Sequence, residues 1–85
     1  MRALSINPTD YESYRSDRLL EQERVYHMHF GILGDAYAIR EEGESLEEFC
    51  DEADYEVWRR TKTISIMGND WEDVTGIFDE QEDQR

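Results

Sequence analysis

The sequence lacks the features that define several large classes of protein. It contains one cysteine, Cys50, which excludes an internal disulfide. No apolar run approaches the roughly 18 residues that cross a bilayer, and the first residues have no signal-peptide pattern. A Gly-rich phosphate loop and a Ser, His and Asp arrangement are also missing. These absences favour a cytoplasmic, non-enzymatic protein that uses no cofactor.

Positive charge is missing from the middle of the chain. Residues 41–58 contain nine carboxylates and no Lys or Arg, and the whole chain carries a formal net charge of −13. Coulomb repulsion opposes direct binding to nucleic acid or to anionic membranes. A negative electrostatic field concentrated in one segment is suited to binding a positively charged partner. We therefore interpret the protein as a binding module for a basic surface.

The length of 85 residues indicates one domain with a small core. Five Tyr, three Phe and two Trp provide the large side chains that such a core needs, so an acidic composition does not imply disorder here. We expect residues 1–79 to form a single compact α+β domain. Residues 80–85 have no apolar anchor and are predicted to form an acidic tail.

The first half of the chain predicts a strand, a helix and a hairpin. Residues 3–6 alternate in polarity and Pro8 ends the strand. Thr9 followed by Glu12 is a capping-box pattern, which predicts a helix over residues 10–23 although its apolar residues share no clean stripe. The hairpin turns at Leu33-Gly34-Asp35, and its two alternating strands have apolar faces made of Tyr26, Met28, Phe30 and Ile32, then Tyr37 and Ile39.

The clearest helical pattern covers residues 45–60. Ser45 can cap this helix with Glu48 completing the capping box. One helical stripe collects Leu46, Phe49, Cys50, Ala53 and Val57. Residues 61–67 alternate again and predict a strand. After a break at Gly68-Asn69, a short last helix is predicted, with Trp71, Val74 and Phe78 as its apolar residues.

This order of elements, βαββαβ with an appended helix, is that of a ferredoxin-like sandwich. We expect a four-stranded antiparallel sheet with two helices on one face and a short C-terminal helix. The predicted core consists of Leu4, Ile6, Tyr26, Met28, Phe30, Ile32, Tyr37, Ile39, Leu46, Phe49, Ala53, Val57, Ile64 and Ile66.

A helix over residues 45–60 turns most of the central carboxylates outward. The predicted partner-binding residues are Glu44, Glu47, Glu48, Asp51, Glu52, Asp54, Glu56 and Trp58 on the helix, with Asp70, Glu72 and Asp73 further along the chain. Like charges at i,i+4 each destabilise a helix by about 0.2–0.5 kcal/mol, so a small domain that tolerates them is expected to gain something from the charge. The alternative is a solvated face in an acidic proteome.

Two further features have structural explanations. His27 and His29 share a strand face at i,i+2, which suits two metal ligands, but no Cys or third His accompanies them and a carboxylate would have to come from elsewhere. We interpret them as part of an exposed sheet face and predict no metal site. Cys50 lies in the apolar stripe, where a thiol is inert packing.

The preferred functional hypothesis is a non-enzymatic inhibitor that imitates the charge of nucleic acid. It would occupy the basic DNA- or RNA-binding surface of a nuclease or of a CRISPR or restriction effector, as phage anti-CRISPR and anti-restriction proteins do. An immunity protein or antitoxin that neutralises a nuclease toxin is the second hypothesis, and an acidic adaptor subunit of a larger assembly is the third. The position of the gene, in a phage early region or beside a toxin gene, distinguishes the first two.

Overall fold

The computed structural model describes residues 1–9, 14–15, 18–30, 34–62 and 71–76. In chain order these form strands β1 (Ala3–Ile6), β2 (Arg24–Phe30) and β3 (Gly34–Arg40), helix α1 (Leu46–Thr61) and strand β4 (Glu72–Asp73). The strands make one antiparallel sheet in the order β1-β3-β2-β4. Within the described ranges, no helix combines the length and apolar composition needed to cross a bilayer.

The ferredoxin-like prediction is wrong. The described residues contain one α-helix where the sandwich requires two on the same face of the sheet. Residues 14–15 and 18–23, where the first helix was predicted, contain no α-helix, although Tyr14 and Arg18 have 3₁₀ geometry. Hydrogen bonds from Arg18 N to Arg15 O and from Glu23 N to Leu20 O close four-residue turns, and Gln22 has a φ of 70°. Without an apolar stripe, packing does not favour a regular helix here.

The C-terminal predictions also need correction. Residues 72 and 73 pair with β2 as the short strand β4, so the described part of the predicted last helix is not helical. The predicted strand over residues 61–67 overlaps the end of α1 at Thr61, and residues 63–67 lie outside the described residues. The pairing of β4 with β2 is a long-range contact that the pattern of residues 70–78 does not show.

The β2–β3 hairpin is confirmed, but its register differs from the predicted core. Tyr26 lies opposite Ala38 and Met28 opposite Ala36, whereas His27 lies opposite Tyr37 and Val25 opposite Ile39. Tyr37 and Ile39 therefore point away from the face that carries Tyr26. Because side chains alternate along a strand, a one-residue difference in register is enough to exchange the two faces. Gly34 and Asp35, predicted as turn residues, belong to β3.

The face of the sheet that α1 covers, the helix-side face, carries the larger apolar core. Phe49, Ala53 and Val57 of α1 are buried against it, and Trp71 packs at the edge of the same cluster. The sheet contributes Leu4, Tyr26, Met28, Ala36 and Ala38. The two alanines leave room for the rings of Tyr26 and Phe49, whose centroids lie 4.9 Å apart. Leu46, predicted to be buried, is 48% exposed.

The opposite face of the sheet, the far face, is also partly covered. Its core consists of Tyr14, Val25, Ile39 and Val74, with Ala3, Leu19 and Tyr37 packed against them. The prediction of a single covered face was therefore wrong, because Val25 is fully buried on the side that was expected to be open. Of the predicted core, Ile6 is partly buried, and the Phe30 side chain, Ile32, Ile64 and Ile66 lie outside the described part of the chain.

Candidate binding surface

Helix α1 is capped at both ends, and its buried residues determine which side faces solvent. Ser45 Oγ accepts a hydrogen bond from Glu48 N at 3.1 Å, as a helix N-cap does. Lys62 adopts a left-handed conformation with φ 58°, and its N–H donates to Trp58 O at 2.7 Å. With Phe49, Ala53 and Val57 buried, the opposite side of the helix faces solvent. The predicted helix over residues 45–60 is thus confirmed, shifted by one residue.

The outer side of the N-terminal half of α1 carries a compact group of carboxylates. Glu47, Glu48, Asp51 and Glu52 are all exposed, and we call them the acidic surface. They span about 7.5 Å along the helix axis. Among the described residues no Lys or Arg side chain contacts any of the four, and Glu52 Oε1 lies 2.9 Å from the Met1 amine. Glu47, Glu48 and Asp51 are therefore available to a partner, whereas Glu52 is exposed but already paired with the Met1 amine.

Glu44 has a structural role and contributes little to the acidic surface. Its side chain is 13% exposed, and its Oε2 is 2.5 Å from the Met1 amine. Oε1 accepts from Glu41 N at 3.1 Å, and its carbonyl oxygen accepts from Arg40 Nε at 2.9 Å. Glu44 therefore holds the turn that leads into α1, and little of its charge reaches solvent.

Asp54 is half-buried and lies against the core. Its Oδ1 accepts a hydrogen bond from Trp71 Nε1 at 2.9 Å. Burial raises the pKa of Asp54; the Trp71 bond lowers it in part, and the nearby charge of Asp51 raises it further. This carboxylate serves to satisfy the buried indole N–H and contributes less to the outer charge than the sequence predicts.

Glu56 is neutralised by its neighbours along the helix. Arg59 Nη2 lies 2.8 Å from Glu56 Oε1, and Arg60 Nε lies 3.5 Å from the same oxygen. The hydrogen bond from Arg59 is the main cause that lowers the pKa of Glu56. The i,i+3 and i,i+4 spacing of these residues was visible in the sequence. The last two turns of α1 therefore have no net negative charge, because Glu56 is outnumbered by Arg59 and Arg60, in contrast to its first turns.

An aromatic pair continues the acidic surface toward the end of the helix. Tyr55 is 57% exposed and Trp58 is 42% exposed, with ring centroids 6.2 Å apart. Lys62 Nζ lies 4.7 Å from the centre of the Trp58 ring, a cation–π distance. Trp58 was among the predicted partner-binding residues, whereas Tyr55 was missed. Its spacing of four residues from Asp51 places it on the same outer side and was the available signal.

The described C-terminal members of the predicted set belong to the edge of the sheet and not to the helix. Asp73 pairs with Arg24 at 2.9 Å and accepts two hydrogen bonds from Thr75. Burial raises the pKa of Asp73, but these bonds outweigh it, so the net shift is downward. Glu72 is exposed on β4, and Asp70 lies outside the described residues. β4 is on the edge of the sheet next to β2, and α1 contacts mainly β1 and β3.

Cys50 is partly buried beside the core. Burial raises the pKa of its thiol, and the charges of Asp54 and Asp51 raise it further. Because the thiolate is the nucleophile, these surroundings make Cys50 a poor one at neutral pH.

Comparison of the chain with protein-family models, with curated proteins and with solved structures gives no match. The features that bear on function are therefore the acidic surface and the aromatic pair, which the fold places on one side of α1.

Proposed function

We propose that the protein is a non-enzymatic inhibitor that imitates the charge of nucleic acid and occupies the basic nucleic-acid-binding surface of a target protein in the cytoplasm. Nucleases and CRISPR or restriction effectors present surfaces of this kind. The observation that carries the proposal is the acidic surface, in which four exposed carboxylates occupy two turns of one helix.

The spacing of these carboxylates supports the comparison with nucleic acid. Four charges over about 7.5 Å of helix correspond to about one charge per 2.5 Å. A DNA strand carries one phosphate per roughly 3.4 Å of its axis. A basic surface that neutralises successive phosphates meets a similar charge density on α1. The exposed rings of Tyr55 and Trp58 lie beside it, and aromatic side chains of this type stack with Arg.

Local helix energetics explain only part of the acidic surface. Glu47 and Glu48 lie in the first turn, where the helix dipole stabilises a negative charge by about 0.3–1 kcal/mol. Asp51 and Glu52 lie one turn later, beyond most of that effect. Each follows a like charge at i,i+4, which destabilises the helix by about 0.2–0.5 kcal/mol per pair. A role in binding accounts for charges that the stability of the helix does not favour.

The decisive experiment compares two triple variants that each remove three negative charges. The first changes the acidic surface through Glu47→Gln, Glu48→Gln and Asp51→Asn. We expect it to fold with equal or slightly higher stability, because like-charge repulsion is relieved. The wild type should capture its target from host lysate at low salt and release it at high salt, since exposed charge pairs are screened. The triple variant should capture far less.

The matched control changes three exposed carboxylates elsewhere, through Glu21→Gln, Glu41→Gln and Glu42→Gln. It should bind like the wild type if the position of the charge matters and not only its total. The captured protein should bind labelled nucleic acid, and the wild type should displace that nucleic acid in a competition assay. Equal losses in both variants, or a target that does not bind nucleic acid, contradict the proposal.

A further inference from the structure

A cluster of two histidines and one carboxylate lies on the far face, near the end of the β2–β3 hairpin. His29 and Asp35 are directly opposite each other in the antiparallel register, and His27 is two residues along the same strand. All three side chains therefore emerge on one side of the sheet. The carboxylate that the His27 and His29 spacing required is thus provided by the neighbouring strand.

The ligand atoms of this cluster converge on one point. His27 Nε2 and His29 Nδ1 each lie 2.8 Å from the same oxygen, Asp35 Oδ1. One ligand atom from each residue lies within 4.8 Å of those from the other two. The exposed fraction of the side chains rises from 16% for His27 through 42% for Asp35 to 76% for His29. The cluster is therefore anchored on one side and open to solvent on the other.

Neighbouring residues hold the two inner members in place. The His27 ring packs on Tyr37 with centroids 4.8 Å apart, and Tyr37 packs on buried Tyr14 with centroids 5.6 Å apart. Asp35 N donates to Asn7 Oδ1 at 2.7 Å, and Asp35 O accepts from Asn7 N at 2.8 Å. Fixed surroundings of this kind reduce the ordering that a bound ion requires.

We propose that His27, His29 and Asp35 form a binding site for a divalent transition-metal ion, with Zn²⁺ as the best match. Two imidazoles and one carboxylate are a known three-residue zinc ligand set that leaves a fourth position open. Calcium and magnesium prefer oxygen ligands alone. Glu72 lies opposite His27 on β4, where an exposed carboxylate adds negative potential on the same face.

Binding an ion requires a local rearrangement of the three ligand atoms. Zinc–nitrogen bonds of about 2.0–2.1 Å place the ligand atoms of a tetrahedral site roughly 3.3 Å from one another. The two histidine nitrogens each lie 2.8 Å from Asp35 Oδ1, a hydrogen-bond distance, so each needs to separate from that oxygen by about 0.5 Å when an ion enters. The ligand atoms of the cluster are spread over up to 4.8 Å, so the two nitrogens also need to approach each other. His29, which is the most exposed of the three, can make this movement with little change to the core.

The test is a titration of the full chain with ZnCl₂, followed by calorimetry and by the imidazole resonances in NMR spectra. The chain has two histidines, so both resonances report on the site. We expect one ion per chain, with both imidazoles shifted at saturation. His29→Ala and Asp35→Asn should each weaken binding by more than about tenfold, since loss of an outer-shell partner alone costs 10–100-fold. Because His29 is exposed, its variant should fold normally.

Two controls separate a defined site from general attraction of cations to an acidic chain. The triple variant of Glu47, Glu48 and Asp51, whose changes lie on the outer side of α1, should bind Zn²⁺ like the wild type. CaCl₂ should leave both imidazole resonances unchanged. Unchanged zinc affinity in a folded His29→Ala variant, or calcium binding of equal strength, overturns the proposal. The outcome of the zinc titration does not depend on whether the acidic surface binds a nucleic-acid-binding protein.

Discussion

The two faces of the sheet are covered in different ways. On the helix-side face, α1 buries Phe49, Ala53 and Val57 in a continuous apolar layer. The far face is covered around Tyr14 and Leu19, where the described residues form turns. We call these covering residues the far-face cover, and polar contacts help to hold them in place. The difference is that a regular α-helix covers one face, whereas residues outside any α-helix, held by polar contacts, cover the other.

The far-face cover is fixed by two buried polar groups. Glu23, with a side chain 3% exposed, forms a two-point ion pair with Arg2 at 2.6 and 2.9 Å and accepts from Leu20 N at 2.6 Å. Tyr14 is 2% exposed and has a side-chain hydrogen bond with Ser5. Burial raises the pKa of the Tyr14 hydroxyl, and the bond with Ser5 lowers it in part. Both contacts tie the segment before β2 back to the start of the chain.

The largest effect is expected on the helix-side face. Phe49 is fully buried, and its ring centroid lies 4.9 Å from that of Tyr26 and 5.7 Å from that of Trp71. Phe49→Ala should lower the free energy of unfolding by about 3–5 kcal/mol, because the cavity adds to the lost burial. Urea unfolding followed by circular dichroism measures the change.

A matched substitution on the far face provides the control. Val25 is also fully buried, and Val25→Ala should cost about 2 kcal/mol through the loss of two buried methyl groups. If both substitutions left the unfolding free energy near that of the wild type, neither cluster would be the core of the domain.

The same contrast explains how much of the fold the sequence predicts. Helix α1 and the β2–β3 hairpin were predicted because their periodicity is local, although the faces of Tyr37 and Ile39 were not. The far-face cover was predicted as a helix from a capping-box pattern. The pairing of Glu23 with Arg2, 21 residues away, leaves no periodic signal that could have corrected this prediction. Two-residue strand β4 is likewise defined by its partner β2.

The candidate site was predictable to a similar degree. Charge composition and helical geometry identified Glu47, Glu48, Asp51 and Glu52 as outward-facing, and the structure exposes all four. Asp54 is not available in the same way, because its carboxylate accepts a hydrogen bond from Trp71, 17 residues further along the chain. Asp35 joins the two histidines only through the register of the hairpin. Tertiary contacts of this kind cannot be read from spacing along one element.

A smaller, pH-dependent effect is expected from Glu23→Gln. The hydrogen bond from Arg2 is the largest cause that lowers the pKa of Glu23, burial opposes it, and the bond from Leu20 N adds to the lowering. A lowered folded-state pKa contributes stability above the ordinary value of 4.5, and this stability is lost as pH falls through the folded-state pKa. At pH 7 the variant should be less stable by about 1–3 kcal/mol, which is typical for hydrogen bonds to a charged group.

Urea unfolding at several pH values tests this expectation. The difference between wild type and Glu23→Gln should shrink as pH falls below 4.5. Glu21→Gln removes a carboxylate from the exposed surface two residues away and should change stability by less than about 0.5 kcal/mol. A constant difference across the pH range would show that the ion pair is not what holds the far-face cover.

The smallest effect, and one of opposite sign, is expected from Asp54→Asn on the helix side. Burial is the main cause that raises the pKa of Asp54, so its ionised form destabilises the folded state. Asparagine keeps an oxygen that can accept from Trp71 Nε1 and removes the charge. The variant should be as stable as the wild type at pH 7 or more stable by less than about 1 kcal/mol.

The sign of the pH dependence distinguishes this carboxylate from Glu23. A raised folded-state pKa means that stability is fully present below the ordinary value of 3.8 and is lost as pH rises through the folded-state pKa. Any gain from Asp54→Asn should therefore disappear below about pH 3.8, where the wild-type group is protonated. Asp51→Asn, an exposed change on the same helix, controls for relief of charge repulsion. A loss of stability at pH 7 in the Asp54 variant alone would mean that Trp71 requires a charged acceptor.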